Sequence, residues 1–247
     1  MNGQVSFFAK PEPITDIKDV KEYDIVVIGA GSPGIPCAFK AAELGAKVAI
    51  VQKLKSAMAG GNFGAGLVLE KSDPYDVQRL VTLLEASSDH RAKRGLLEMW
   101  AHHSGEAVRW TIELAKEAGA QVKDLGTPVH AALLKRHGLQ LEFTTCVFGP
   151  KPYNTGQGMK AICSLAQAKG IDIYYGTPAE QLVQGETGRI TGVIAKSPDG
   201  YIQLNAKKGV VVATGDYANN DEMMHYYLPD MDNLGRKRFG YDGDGIR

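Results

Sequence analysis

Residues 23–34 read YDIVVIGAGSPG, an apolar run that ends in the spacing G-x-G-x-x-G. A stretch rich in small residues follows, and residues 47–53 then read KVAIVQK, a second apolar run with a polar end. A strand, a glycine turn, a helix and a second strand at this distance are typical of a dinucleotide-binding βαβ unit. Gly29 allows the tight turn, Gly31 lets the backbone approach a pyrophosphate, and Gly34 lets the helix pack closely on the strand. The helix N-terminus adds unpaired N–H groups for the phosphates, so the sequence predicts a bound dinucleotide.

The composition predicts a cytoplasmic protein that acts on a small molecule. The 247 residues are 44% hydrophobic, and 28 basic residues balance 28 acidic ones, so no basic patch indicates nucleic acid or an anionic membrane. No apolar run approaches the ~20 residues of a membrane helix, and residues 1–10 lack the pattern of a secretory signal. Cys37, Cys146 and Cys163 are odd in number and without C-x-x-C spacing, which favours a reducing compartment.

The hydrophobic pattern divides the chain into an arm and one α/β domain. Residues 1–22 contain two prolines and predict an extended arm, and residues 23–247 form the domain, with a helical insertion at about 67–150. Residues 209–213 are apolar throughout, as in a central parallel strand buried on both faces. The other predicted elements are helices within 75–119 and over 158–169, a loop over 54–66, mixed short strands over 121–148, and strands over 171–175, 179–184, 190–196 and 201–205.

Three further motifs join the glycine turn. They are GGNFGAG at 60–66, GTPAEQL at 176–182 followed by GRITGV at 188–193, and VATGDYANN at 212–220 followed by GDGI at 243–246. With these motifs in this order, the chain from about residue 23 onward resembles the flavoprotein family of fumarate reductases, succinate dehydrogenase flavoprotein subunits and 3-ketosteroid dehydrogenases.

The resemblance implies FAD as the cofactor. It also implies an α/β, Rossmann-like FAD-binding domain with a central parallel sheet, a small antiparallel β element and a helical insertion. The cofactor-binding residues that it implies are Gly29, Ala30, Gly31, Ser32, Pro33, Gly34, Gln52, Lys53, Gly60, Gly61, Asn62, Gly64, Gly66, Ala179, Ala213, Thr214, Gly215, Asn220 and Asp244.

The chain departs from the family pattern at several positions. Gln52 stands where the family usually has a glutamate that accepts hydrogen bonds from ribose, and Asp216 replaces the second glycine of a pair. Leu54 stands where members with covalent flavin have a histidine, so we expect non-covalent FAD. In the family a cap domain follows the GDGI motif, and the chain stops at Arg247. We therefore expect the cap to be absent and its catalytic residues to be unassigned. The incomplete face should favour self-association.

Three functional hypotheses remain open at this stage. The first is the FAD-binding part of an oxidoreductase that transfers hydride between flavin N5 and an activated C=C bond, as in fumarate reduction. The second is a ketosteroid-type dehydrogenase, and the third is a non-catalytic flavin-binding module that needs a partner segment. The adjacent His102 and His103 point in different directions on a helix, so no metal site is predicted.

Overall fold

A computed structural model of the chain describes residues 6–9, 11–61, 63–233 and 241–246. The strands are β1 (Ile17–Ile28), β2 (Val48–Gln52), β3 (Phe63–Leu67), β4 (Val122–Asp124), β5 (Phe143–Phe148), β6 (Asp172–Tyr175), β7 (Ala179–Gln184), β8 (Ile190–Ser197) and β9 (Gly200–Val212). The helices are α1 (Gly34–Glu43), α2 (Pro74–Ser87), α3 (Arg94–Glu117), α4 (Ala131–His137), α5 (Thr155–Ala168) and α6 (Asp221–Tyr227). Two compact units result: residues 1–60 with 163–247, and residues 61–162.

The first unit is built on a six-stranded sheet in the order β6-β2-β1-β9-β8-β7. The pairs β6–β2, β2–β1 and β1–β9 are parallel, and β8 and β7 continue the sheet antiparallel. All five residues of β2 are buried, as expected of a short apolar strand between two neighbours. Helix α1 buries Ile35, Ala38 and Phe39, and these small and apolar side chains let it pack closely beside β1 and β2. This is the predicted α/β class with a parallel sheet.

The second unit combines the antiparallel sheet β3-β5-β4 with helices. Its core contains Leu67 from β3, Leu80 from α2, Ala101 from α3 and Phe143 from β5. Backbones approach closely here, because a Cβ on Gly66 would overlap the carbonyl of Ser104 in α3. Within the described residues, no helix is both long enough and apolar enough to cross a membrane.

Several predicted boundaries were wrong. Strand β1 begins at Ile17, inside the predicted arm, because its polar first half pairs in parallel with the start of β9. Strand β9 is continuous where two strands were predicted, and β3 begins at Phe63 inside the predicted loop. The second half of β9 is not buried on both faces: Val212 is 49% exposed. Strand β8 pairs with β9 only up to Asn205, so the apolar end of β9 has no β8 neighbour to cover it.

Candidate functional site

A cavity of about 980 Å³ lies in the first unit, at the carboxyl ends of β1, β2 and β9. Ligands of open α/β sheets bind outside these strand ends. Of the residues predicted to bind the cofactor, those that line this cavity are Gly29, Ala30, Gly31, Ser32, Pro33, Gln52, Lys53, Gly60, Ala179, Ala213, Thr214, Gly215 and Asp244. The fold thus brings together segments that are up to 215 positions apart, counted from Gly29 to Asp244.

The glycine turn between β1 and α1 is fixed by close backbone contacts. Gly29 has a φ of +109°, and a Cβ there would overlap the carbonyl of Ala213. A Cβ on Gly34 would overlap the carbonyl of Gly29, whereas one on Gly31 would lie 3.2 Å from the carbonyl oxygen of Met58. Packing therefore requires glycine at positions 29 and 34. Gly31 lines the cavity, and of the three glycines it has the most space for a Cβ.

Gln52 ends β2 and is 7% exposed. Its Oε1 accepts a hydrogen bond from the Ala30 N–H at 3.3 Å, and its Nε2 donates to the carbonyl of Ser56 at 2.9 Å. The side chain therefore ties the glycine turn to the loop after β2. A glutamate could not make the second bond, because a carboxylate has no hydrogen to donate.

Lys53 forms the charged part of the cavity wall. Its Nζ lies 2.6 Å from Asp242 Oδ2 and 2.8 Å from Asp244 Oδ2. Partial burial acts to lower the pKa of Lys53, but the hydrogen bonds and charges of the two carboxylates outweigh it and leave that pKa raised. This ion cluster connects the end of β2 to the turn over residues 241–246, across the cavity.

Tyr241 closes another part of the wall. Its hydroxyl oxygen accepts a hydrogen bond from the Gly60 N–H at 2.6 Å. A Cβ on Gly60 would lie 2.5 Å from that hydroxyl oxygen, and one on Gly215 would lie 2.8 Å from the Tyr241 ring. Packing against Tyr241 therefore leaves no space for a larger side chain at positions 60 and 215.

Asn220 lies outside the cavity wall. Its side chain accepts a hydrogen bond from the Met223 N–H at 3.0 Å, which caps α6, and donates to the carbonyl of Asp242 at 3.0 Å. It therefore holds the turn that carries Asp242 and Asp244.

The remaining predicted residues belong to the second unit or are not described. Gly61, Gly64 and Gly66 are part of the second unit, and their assignment to the site stays a prediction. Asn62 lies outside the described residues. Within the described ranges, no group of three or more His, Cys, Asp or Glu side chains is placed to hold a metal ion.

Sequence reasoning missed two parts of the cavity wall. One is the N-terminal segment, where Ser6–Ala9 and Pro11 contribute, and the other is the pair Tyr241 and Asp242. No local pattern in residues 1–22 indicated the first. The position of Tyr241 and Asp242 directly before the GDGI motif was a signal for the second.

Known proteins with related sequences are longer reductases. The chain is 29% identical over 212 residues to the vinyl phenol reductase of Lactiplantibacillus plantarum, covering 82% of this chain and 39% of that protein. It is 27% identical over 277 residues to the probable fumarate reductase Ifc3 of Shewanella frigidimarina, covering 98% of this chain and 44% of that protein. The chain thus spans about two-fifths of the length of these curated relatives.

The fold also matches a solved structure. The 3-ketosteroid-Δ4-(5α)-dehydrogenase of Rhodococcus jostii superposes with a TM-score of 0.71 at 22% identity, over 94% of this chain and 54% of that one. At this identity the match shows the shared fold alone. The family model described as "FAD binding domain" matches residues 24–235, most of the chain. The resemblance inferred from the four motifs is confirmed, and the chain belongs to the FAD binding domain family.

Proposed function

We propose that the chain is the cofactor domain of an FAD-dependent oxidoreductase that reduces activated C=C bonds of small enoates. The cavity at the ends of β1, β2 and β9 carries this proposal. The printed names of the two sequence relatives are those of reductases, and one of them, a probable fumarate reductase, names an enoate and so supports the substrate class. When bound, FAD supplies the hydride chemistry, and the protein supplies binding, orientation and electrostatics.

The residues of the cavity fit this cofactor. A cavity of about 980 Å³ is at the upper end of the range for ligand sites, as a dinucleotide requires. The turn over Gly29–Pro33 leads directly into α1, and Gly34 places a backbone N–H at the first position of that helix for a pyrophosphate; the Ile35 N–H is bonded to the Gly31 carbonyl, and Pro36 has no N–H. The carboxylates of Asp242 and Asp244 can accept hydrogen bonds from hydroxyl groups, and Lys53 offsets one of their two negative charges. Gln52 has one lone pair and one N–H left for a ligand, after its two bonds within the protein.

The first test is the binding of FAD to the purified protein. We expect a yellow protein that releases its flavin into the supernatant when it is precipitated with acid, because Leu54 offers no side chain for a covalent bond. Flavin that stays in the pellet would contradict non-covalent binding. Release of NAD in place of FAD would contradict the cofactor.

A ketosteroid substrate is the second candidate. The superposition on a 3-ketosteroid dehydrogenase gives it a structural reason, although at 22% identity that likeness extends only to the fold. A single-turnover experiment separates the two: the reduced protein is mixed with fumarate, urocanate and an α,β-unsaturated 3-ketosteroid, and oxidation of the bound flavin by one class alone identifies the acceptor. A protein whose reduced FAD is oxidised by none of them, even in a single turnover, would match the non-catalytic hypothesis.

We also propose a cytoplasmic location without nucleic-acid or membrane partners. The three cysteines support it, since Cys37, Cys146 and Cys163 are all free thiols. Burial also raises the pKa of Cys146 to about 12, which keeps this thiol protonated and unreactive. Fractionation of the producing cells, with the flavin absorbance followed in each fraction, tests the location.

A further inference from the structure

The N-terminal segment forms part of the cavity wall. Residues 6–9 and 11–14, which we call the N-terminal strap, precede β1. The strap residues that line the cavity are Ser6, Phe7, Phe8, Ala9 and Pro11. None of the four motifs that carry the family resemblance includes this segment.

One end of the strap is attached to α6. The Ser6 N–H donates a hydrogen bond to Glu222 Oε1 at 2.7 Å, and the Ser6 hydroxyl donates to Glu222 Oε2. Phe7 is 5% exposed, and its ring centroid lies 5.5 Å from that of Tyr226 and 5.7 Å from that of Tyr227. These distances and tilted ring planes are those of favourable aromatic pairs. Phe7 is therefore the apolar anchor of the strap, and Glu222 is its polar anchor.

The other end of the strap is attached to β7. The Ile14 N–H donates a hydrogen bond to Gln181 Oε1 at 3.0 Å, and Gln181 itself lines the cavity. Between the two anchors, Pro11 and Pro13 restrict the backbone to extended conformations, so fewer unfolded arrangements compete with the attached one. The described residues of the strap thus contact α6 at one end and β7 at the other.

We propose that the N-terminal strap is a wall of the FAD site that slows the release of FAD, with Phe7 as the residue that positions it. This inference rests on the proposed function, because it takes the cavity to be the FAD site. The strap lines the cavity and is attached to α6 at one end and to β7 at the other, so it must detach or bend for a large ligand to pass on that side. We expect the strap to affect the dissociation rate more than the folded unit, since residues 6–9 are not part of β1 or of its pairing with β9.

The experiment measures how fast FAD leaves the full chain. FAD release is followed by its fluorescence after the holoprotein is mixed with an excess of an apoflavoprotein that traps free flavin. Four variants are compared with the wild type: Phe7→Ala and Phe7→Leu, and Glu222→Ala and Glu222→Gln. Phe7→Leu retains an apolar side chain, and Glu222→Gln retains an acceptor for the Ser6 N–H. The melting temperature of each apoprotein shows whether the fold is intact.

We expect Phe7→Ala to speed release by about ten-fold or more, the factor that corresponds to losing most of a buried aromatic side chain. Glu222→Ala should speed it less, and both conservative variants should stay within about three-fold of the wild type. Release at the wild-type rate from a folded Phe7→Ala or Glu222→Ala protein would overturn the inference. If Phe7→Ala does not fold, the comparison of Glu222→Ala with Glu222→Gln decides the outcome. A wild-type protein that binds no FAD would instead overturn the proposed function, and the strap inference with it.

Discussion

The glycines of the β1–α1 turn have different roles, although they belong to one motif. Gly29 and Gly34 have no space for a Cβ, because backbone carbonyls of Ala213 and Gly29 occupy it. Gly31 faces only one close backbone atom, the carbonyl oxygen of Met58 at 3.2 Å, and it lines the cavity. We therefore expect its lack of a side chain to matter more for ligand binding than for the fold.

We expect Gly31→Val to weaken FAD binding by about 100-fold or more while the apoprotein stays folded. A branched side chain would stand where the backbone must approach the pyrophosphate, so the hydrogen bonds to the phosphates are lost. Titration with FAD measures the loss, and circular dichroism measures the fold. Gly34→Val is the matched control, because its overlap with the Gly29 carbonyl should destabilise the fold itself. An unchanged dissociation constant in Gly31→Val would show that the turn is not the site.

The strand–turn–helix around Gly29–Gly34 was predictable from the sequence, but the contacts of individual side chains within the protein were not. Spacing and apolar flanks sufficed for Gly29–Gly34, because the chain geometry of a βαβ unit leaves little choice there. Gln52 was predicted as a substitute for a ribose-binding glutamate, and that role stays a prediction. Its amide also joins Ala30 to Ser56, a bridge between segments that no sequence pattern encodes.

At the scale of elements, Asp76 ties helix α2 to the loop that follows α4. The carboxylate is buried, with Oδ2 accepting from the Gln140 N–H at 2.7 Å and Oδ1 accepting from Arg79 at 2.7 Å. The hydrogen bond from Gln140, followed by the one from Arg79, lowers the pKa of Asp76 below its ordinary value of 3.8. The carboxylate therefore stabilises this unit in its charged form.

We expect Asp76→Asn to lower the melting temperature at pH 7, and the difference from the wild type to shrink in acid. A group whose folded pKa is lowered stabilises the protein above its ordinary pKa, and this contribution is lost as the pH falls through the lower folded value. The difference should therefore narrow below pH 3.8. Glu70→Gln is the control, because Glu70 forms only an exposed pair with Arg109 and should matter little at any pH. A difference that is constant from pH 7 to pH 3 would contradict this role.

Elements were predictable where burial dictates the pattern and were mispredicted where polar residues extend a strand. Strand β2 is apolar and fully buried, and it lies where the pattern placed it. The first half of β1 is mostly polar, and β9 has two exposed lysines in its middle, Lys207 and Lys208. The hydrophobic pattern therefore predicted a late start for β1 and two separate strands in place of β9. Their parallel pairing extends from Ile17 to Ile28, and tertiary pairing overrides local pattern there.

For the whole molecule, the order of motifs identified the family but not the complete cavity. The motifs indicated most of the segments that line the cavity, because those segments contain or follow a strand or glycine signal. They are the glycine turn, the ends of β2 and β9, the start of β7, and the turn that contains Asp244. The strap was out of reach, since its place depends on the contact of Phe7 with α6 more than 200 positions later, at Tyr226. Long-range packing of this kind has no local signature.

The side chains of the cavity wall limit what the 247 residues can do alone. Reduction of an enoate requires a held substrate and a proton donor beside the acceptor carbon, besides the flavin. Orientation contributes ~7–11 kcal/mol to such reactions, and general acid catalysis adds roughly 10²–10⁴-fold. The titratable side chains on the described cavity wall are Lys53, Glu180, Asp216, Tyr241, Asp242 and Asp244. Lys53 is the cation among them, and its raised pKa makes it a weak proton donor at neutral pH.

We therefore expect this chain to bind FAD, which dithionite then reduces, but to turn over fumarate, urocanate and an unsaturated 3-ketosteroid far below about 1 s⁻¹, a rate at the low end for enzymes. Anaerobic turnover of the dithionite-reduced protein measures it, with Gly31→Val as the control for reaction through free flavin. Slow, substrate-independent oxidation of the flavin would agree with a domain that holds the cofactor and leaves proton delivery to other groups. Sustained turnover of one substrate at about 1 s⁻¹ or more, lost in Gly31→Val, would instead place the catalytic acid within residues 1–247. A Lys53→Met variant would then show whether that acid is the lysine held between Asp242 and Asp244.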